Sequence, residues 1–261
     1  MTKYTAITFF FLLFARVTWA DHTIHVAIDH APPFSQINNQ GESQGLIIDI
    51  VSELLKETHQ DYKIKPVPCP FSRCVRMLAQ GQVDVMGGLI KTNRREQTMA
   101  FVQPPYMVLS SSFVFYANKN SDIEVNNFDE LHGKRIAVMR GGAYYKEFDE
   151  DKTLNRVQVN SEHVAFDLLL KGRVDLVLSV EDTAEVAMRT LNQPFEQLKK
   201  VNYRHTNNIY GHMAFSQRFA KTKLAVQLQR AMIKMAKSGQ LNKLVTPYQL
   251  PAIPTTLITE S

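Results

Sequence analysis

The sequence predicts an α/β protein built as two lobes, each around its own sheet. Two observations carry this. Helix-period and strand-period segments alternate along the chain, the pattern of helices that connect strands of a largely parallel sheet. One helix-to-strand signature also occurs twice: Gly81-Gln82-Val83-Asp84 is echoed by Gly172-Arg173-Val174-Asp175 about ninety residues on. A unit repeated at that distance implies two sheets, hence two lobes.

The first twenty residues are set aside. Lys3 is a basic start, residues 6–15 are a nearly continuous apolar run, and Ala20 precedes Asp21. The run is shorter than the ~20 apolar residues a bilayer span requires, and the order of charge, apolar stretch and small residue is that of a signal peptide cleaved after Ala20. An N-terminal membrane anchor is the alternative. The expected destination is the periplasm, without lipid attachment, because no Cys stands at the cleavage site.

Residues 23–28 alternate like a strand, and Ala31-Pro32-Pro33-Phe34 stops it. Residues 46–57 place Leu46, Ile50, Leu54 and Ile47, Val51, Leu55 at helical spacing. Residues 75–80 end a second helix, with Gly81 as its stop, and 83–86 form a short buried strand. Asp84 and Asp175 are read as organising that turn. Pro104-Pro105-Tyr106 interrupts the pattern before a strand at 113–116. A strand at 134–139 runs into Arg140-Gly141-Gly142, after which Ala143-Tyr144-Tyr145-Lys146 starts a helix. A strand at 209–215 precedes a helix with Leu224, Leu228, Met232 and Met235 on one face, closed by Ser238-Gly239; its methionines read as core filling. The tail beyond Pro251 reads as loosely ordered.

At 44% hydrophobic and 21% charged residues the composition is that of a globular core. The formal charge of +5 is not gathered into a basic stripe, so nucleic acid is not an expected partner. The two cysteines, Cys69 and Cys74, read as a local disulfide in an oxidising compartment; two free thiols or half of a metal site are the alternatives. Two Cys do not complete a zinc site, and the eight His form neither i, i+4 pairs nor a His-Glu-x-x-His run. No metal, no cofactor and no catalytic residue is expected.

Pro33-Phe34, Gly45 with Asp49, Gly81-Gln82-Val83-Asp84, Thr92-Asn93-Arg94-Arg95, Phe101 with Pro105-Tyr106, Leu131-His132-Gly133-Lys134 and Gly172-Arg173-Val174-Asp175 follow one another in an order that resembles the family-3 extracellular solute-binding proteins. The resemblance covers the chain beyond residue 20. It implies the type II periplasmic-binding-protein fold of the polar amino-acid binding proteins, with a split first lobe (21–109 and 211–261) and a continuous second lobe (110–210). Hinges near 106–110 and 207–211 would close the lobes on a ligand. The implied function is a monomer that captures a small polar or anionic, amino-acid-like solute for an ABC importer. A sensory binder serving a chemoreceptor or sensor kinase is the alternative. Cyclohexadienyl dehydratases share the fold, but no motif here is specific to that activity.

The resemblance assigns Arg95, at the Arg of Thr-x-x-Arg, to a ligand carboxylate, for which a guanidinium is geometrically suited. Phe34 and Phe71 would be aromatic walls, with Tyr106 at the hinge. Gly141 and Gly142, taken to open a helix, would turn free N–H groups to an anion. Arg73 would add an anion contact on the turn that the Cys69–Cys74 pair fixes. Three positions depart from the family. Ile90 replaces a hydroxyl, Ala143 replaces a Thr, and Val180 stands where the family has its ammonium-binding Asp, with Glu181 next. Either Glu181 takes that role or the cleft does not bind an α-ammonium.

Overall fold

The computed structural model describes residues 23–109, 112–206 and 208–259. The expected signal peptide lies outside them, as do Ser110 and Asn207 within the expected hinges. The chain begins with β1 (Thr23–Ile28), the two-residue strands β2 (Gln36–Ile37) and β3 (Ser43–Gln44), and α1 (Leu46–Lys56). β4 (Lys63–Pro68), α2 (Phe71–Ala79), β5 (Val85–Leu89), α3 (Asn93–Glu96), β6 (Met99–Phe101) and β7 (Met107–Leu109) follow. A second stretch holds β8 (Phe113–Asn118), β9 (Arg135–Met139), α4 (Lys146–Glu150), β10 (Asn155–Val159), α5 (Glu162–Leu170), β11 (Leu176–Val180), α6 (Glu181–Thr190) and β12 (Leu198–His205). The chain then returns through β13 (Ile209–Ser216) to α7 (Lys223–Lys237), α8 (Gln240–Val245) and α9 (Thr255–Thr259).

Two sheets form two lobes. The first has strand order β4-β1-β5-β13-β6, with β7 paired to β13; the second has order β10-β9-β11-β8-β12. Three strands in each run parallel. Both sheets are largely parallel and become mixed where β13 lies antiparallel to β5 and β8 antiparallel to β11. Those strands lie where the chain passes between lobes, and their direction reverses the local order.

The repeated signature has a physical cause visible twice. After α2, Gly81 (φ 69°) donates to Leu78 O and Gln82 to Met77 O; after α5, Gly172 (φ 65°) donates to Leu169 O and Arg173 to Leu168 O. This double bond pattern is a Schellman cap, whose left-handed residue favours glycine. Val83 and Val174 are then buried. Asp84 Oδ2 accepts from the His25 N–H at 2.9 Å, and Asp175 Oδ2 accepts from the Arg135 N–H at 2.7 Å. Each aspartate thus ties its turn to the neighbouring parallel strand, as expected from the sequence.

Helix α1 buries the six apolar residues read from the sequence. It starts at Gly45, where φ is 115° and a Cβ would lie 2.6 Å from Phe34 O, so only glycine fits. The strand expected at 83–86 begins two residues later, at Val85, because Asp84 is committed to the turn. Nor is the tail loose. Ile253 and Ile258 are buried, Ile253 N–H donates to Asn242 Oδ1 at 2.9 Å, and α9 packs on α7. Among the described residues, no helix is long and apolar enough to cross a membrane.

Candidate functional site

The loops after β5 and β9 meet between the lobes. Thr92 caps α3 by accepting from Arg95 N at 3.3 Å, which fixes the backbone that carries Arg95. The guanidinium donates to Ile90 O at 2.7 Å in its own lobe and to Gly141 O at 2.9 Å in the other. Its carbon lies 6.0 Å from the ring centroid of Phe71, within reach of a cation–π attraction. Arg95 is 7% exposed, and burial pushes its pKa down to about 10, opposed by the charge of Asp149.

Gly141 is required by its φ of 74° and by a Cβ position 3.3 Å from both Cα and Cβ of Ser72 across the cleft. The helix expected to open at Gly141 and Gly142 begins later, at Lys146. Gly142 N–H donates to Met139 O at 3.0 Å, and Tyr144 N–H donates to Asp149 Oδ2 at 2.9 Å. These two groups are engaged within the loop, so Gly142 does not turn a free N–H to a ligand. Burial raises the Asp149 carboxyl, against the pull of Arg156, Arg95 and Lys152.

Adjoining this contact through Ile90 is a cavity of about 640 Å³. Its walls come from both lobes and from the second segment that joins them, with Tyr144, Tyr145, His205, Tyr210 and His212 among them. Tyr145 and His205 stack with centroids 4.0 Å apart and planes 5° apart. Glu147 and Glu150 lie at its edge, both exposed. His212 is 6% exposed, and burial lowers its pKa.

Of the residues singled out in the sequence, the structure brings Phe71, Arg95 and Gly141 together. Gly142 shares the loop of Gly141. Phe34 is half-buried with its ring 6.5 Å from Tyr248. Tyr106 is fully buried and its hydroxyl accepts from Gly88 N–H at 2.6 Å; burial raises its pKa. It is a core residue under the first sheet. Arg73 is exposed on α2. Glu181 starts α6 and is ion-paired with Lys200, and it does not line the cavity. Cys69 and Cys74 form a disulfide with Cα atoms 5.4 Å apart. It ties the end of β4, where Cys69 N–H donates to Ile28 O at 2.9 Å, to the first turn of α2, which presents Phe71 and Ser72.

Sequence reasoning missed three acids. Asp29 follows β1, and burial raises its carboxyl, with Ser35 and its own backbone opposing. Asp149 is the second. The third is Glu162, the first residue of α5, whose Oε1 accepts from Thr183 Oγ1 at 2.9 Å and from Ser179 Oγ; burial raises it too. For Asp29 and Glu162 the available signal was position, since each stands just past a strand end, where α/β folds place their sites; Asp149, inside α4, had none.

Two α/β lobes joined by two chain crossings around a polar cleft have the architecture of a periplasmic binding protein. The chain belongs to the bacterial extracellular solute-binding proteins, family 3, which it matches over residues 24–251. Its fold is similar to a histidine kinase sensor domain with similarity to periplasmic binding proteins (TM-score 0.71, 20% identity, covering 86% of this chain and 95% of that one). It is also similar to a mutant of ArgBP from T. maritima (TM-score 0.69, 22% identity, 86% and 93%) and to the substrate binding protein of an amino acid ABC transporter (TM-score 0.67, 24% identity, 85% and 97%). A curated protein of Shewanella frigidimarina (strain NCIMB 400), named "Putative sensor protein", is 26% identical over 214 residues, 80% of this chain. The chain spans about 30% of that relative's length.

Proposed function

We propose that this chain is an exported receptor whose lobes, divided as 21–109 with 211–261 and 110–210, close on a small polar solute and deliver it to an ABC importer. The observation that carries the reading is the cavity walled by both lobes and by the segment at 205–210 that joins them, beside an arginine that reaches from one lobe to the other. A cleft of that size, with aromatic walls and polar and charged side chains around them, suits a small polar ligand. A second reading, a sensory binder that presents its closed form to a membrane receptor, is favoured by the S. frigidimarina relative, in which the matching region is a minor part of a longer chain.

A thermal-shift screen of the secreted protein against amino acids, polyamines, dicarboxylates, keto acids and short peptides tests the shared core of both readings. A ligand well above its dissociation constant raises the melting temperature by mass action, and Arg95→Ala should abolish the rise. Silence across the whole panel would overturn solute capture. Permease and ATPase genes beside this one would favour the importer; a neighbouring receptor or kinase gene would favour the sensor.

A further inference from the structure

We propose that Glu162 is the cation-binding carboxylate of this cleft, so that the solute carries an ammonium or guanidinium group. The proposal rests on the solute-binding reading and names the chemistry of its ligand.

Position is the first argument. Helices α2 and α5 are each nine residues long and end in the same Schellman turn. The spacing that pairs Gly81 with Gly172 and Asp84 with Asp175 therefore pairs Phe71 with Glu162. Phe71 faces Arg95, and its neighbour Ser72 faces Gly141 across the cleft. The first residue of α5 occupies the matching place in the second lobe. Glu162 is not itself among the residues lining the cavity, but its charge reaches Tyr144, which is, and it is half-buried.

The second argument is what holds the carboxylate. An acid at a helix start ordinarily serves that helix's own N–H groups. Glu162 instead reaches to hydroxyls outside its helix, Ser179 at the end of β11 and Thr183 in α6, which flank Val180. Charge balance is the third. Asp149 feels Arg156, Arg95 and Lys152, and Glu181 is paired with Lys200. The partners of Glu162 among the described residues are neutral hydroxyls, with no cation offsetting it. A desolvated carboxylate without a counter-charge is costly, and a cationic ligand supplies that counter-charge. Burial without a cation also accounts for the upward pull on its pKa.

Isothermal titration calorimetry on the secreted protein decides the matter, with arginine, agmatine, putrescine and glutarate as probes. At least one of the three cations should bind and glutarate should not. Glu162→Gln should weaken the cation by about 100-fold or more, Glu162→Asp should weaken it less, and Glu181→Gln should leave it unchanged. Should Glu162→Gln fail to fold, the Glu162→Asp comparison decides. Undiminished cation affinity in the folded Glu162 variants overturns the proposal, as does binding of glutarate alone. If the cations fail while another compound of the wider panel binds, the proposal falls and solute capture stands; if nothing binds, solute capture falls as well.

Discussion

In the first lobe the helix after the opening strand, α1, runs eleven residues and buries six apolar side chains. In the second lobe the helix at the matching place, α4, runs five and buries Phe148. Around them the lobes agree. Both sheets begin with three parallel strands in the same spatial order and add an antiparallel fourth. Both carry the same capped turn and the same aspartate tie. The repeat thus fixes where strand ends point, while the shortened helix leaves residues 140–145 as a loop that reaches the opposite lobe.

The aspartate ties give the largest expected effect. Asp84 is 6% exposed and holds the His25 N–H and ring, with Arg218 at 3.4 Å. Asp84→Ala leaves the part-buried His25 N–H without its acceptor and should cost about 1 to 2 kcal/mol in denaturant unfolding. Asp175, in the more open tie to Arg135, should cost clearly less when replaced by Ala. Equal losses would mean that solvent access does not separate the two ties.

The capped turns come next. A Cβ added at Gly172 would meet nothing within 4 Å, and one at Gly81 only Arg218, at 3.7 Å or beyond. Each Gly→Ala should therefore cost only its backbone conformation, about 1 kcal/mol. Unequal costs would break the equivalence of the two lobes.

A smaller effect separates Glu162 from its counterpart Phe71. Burial raises the Glu162 carboxyl, so the folded chain holds this proton to higher pH than the unfolded chain does. Its contribution to stability is fully present below the unfolded value and declines as pH rises through the folded one. Glu162→Gln should accordingly raise the melting temperature at neutral pH by about 2 °C, with the gain fading toward pH ~4. Asp175 works in the opposite sense. The hydrogen bond from Arg135 lowers its pKa, so its contribution is present above the unfolded value and lost as pH falls through the folded one. Asp175→Asn should flatten the acid limb of the stability curve, measured by thermal melts across pH.

Periodicity made most of the fold legible, because apolar spacing and burial have one cause: α1 and α7 bury the residues that the pattern marks. The repeated Gly-x-Val-Asp was legible because glycine and aspartate there answer to backbone geometry. The site was read only in part. Arg95 and Phe71 stand on elements with local signatures, and they meet. Gly141-Gly142 misled, since a glycine pair after a strand serves a loop as readily as a helix start; Asp149, further along, takes the N–H that a helix would have left free. Glu162 has no motif at all. Its surroundings come from Ser179 and Thr183, and only folding brings those hydroxyls to it.

Strand β13 sits between β5 and β6 at the heart of the first sheet, yet it follows every strand of the second. The second sheet is complete once residue 205 has emerged, whereas the first still lacks a central member and the α7 helix that covers α1. Assembly therefore runs against the order of synthesis: the lobe begun first is finished last, with β6 and β7 waiting on the returning strand that pairs with both.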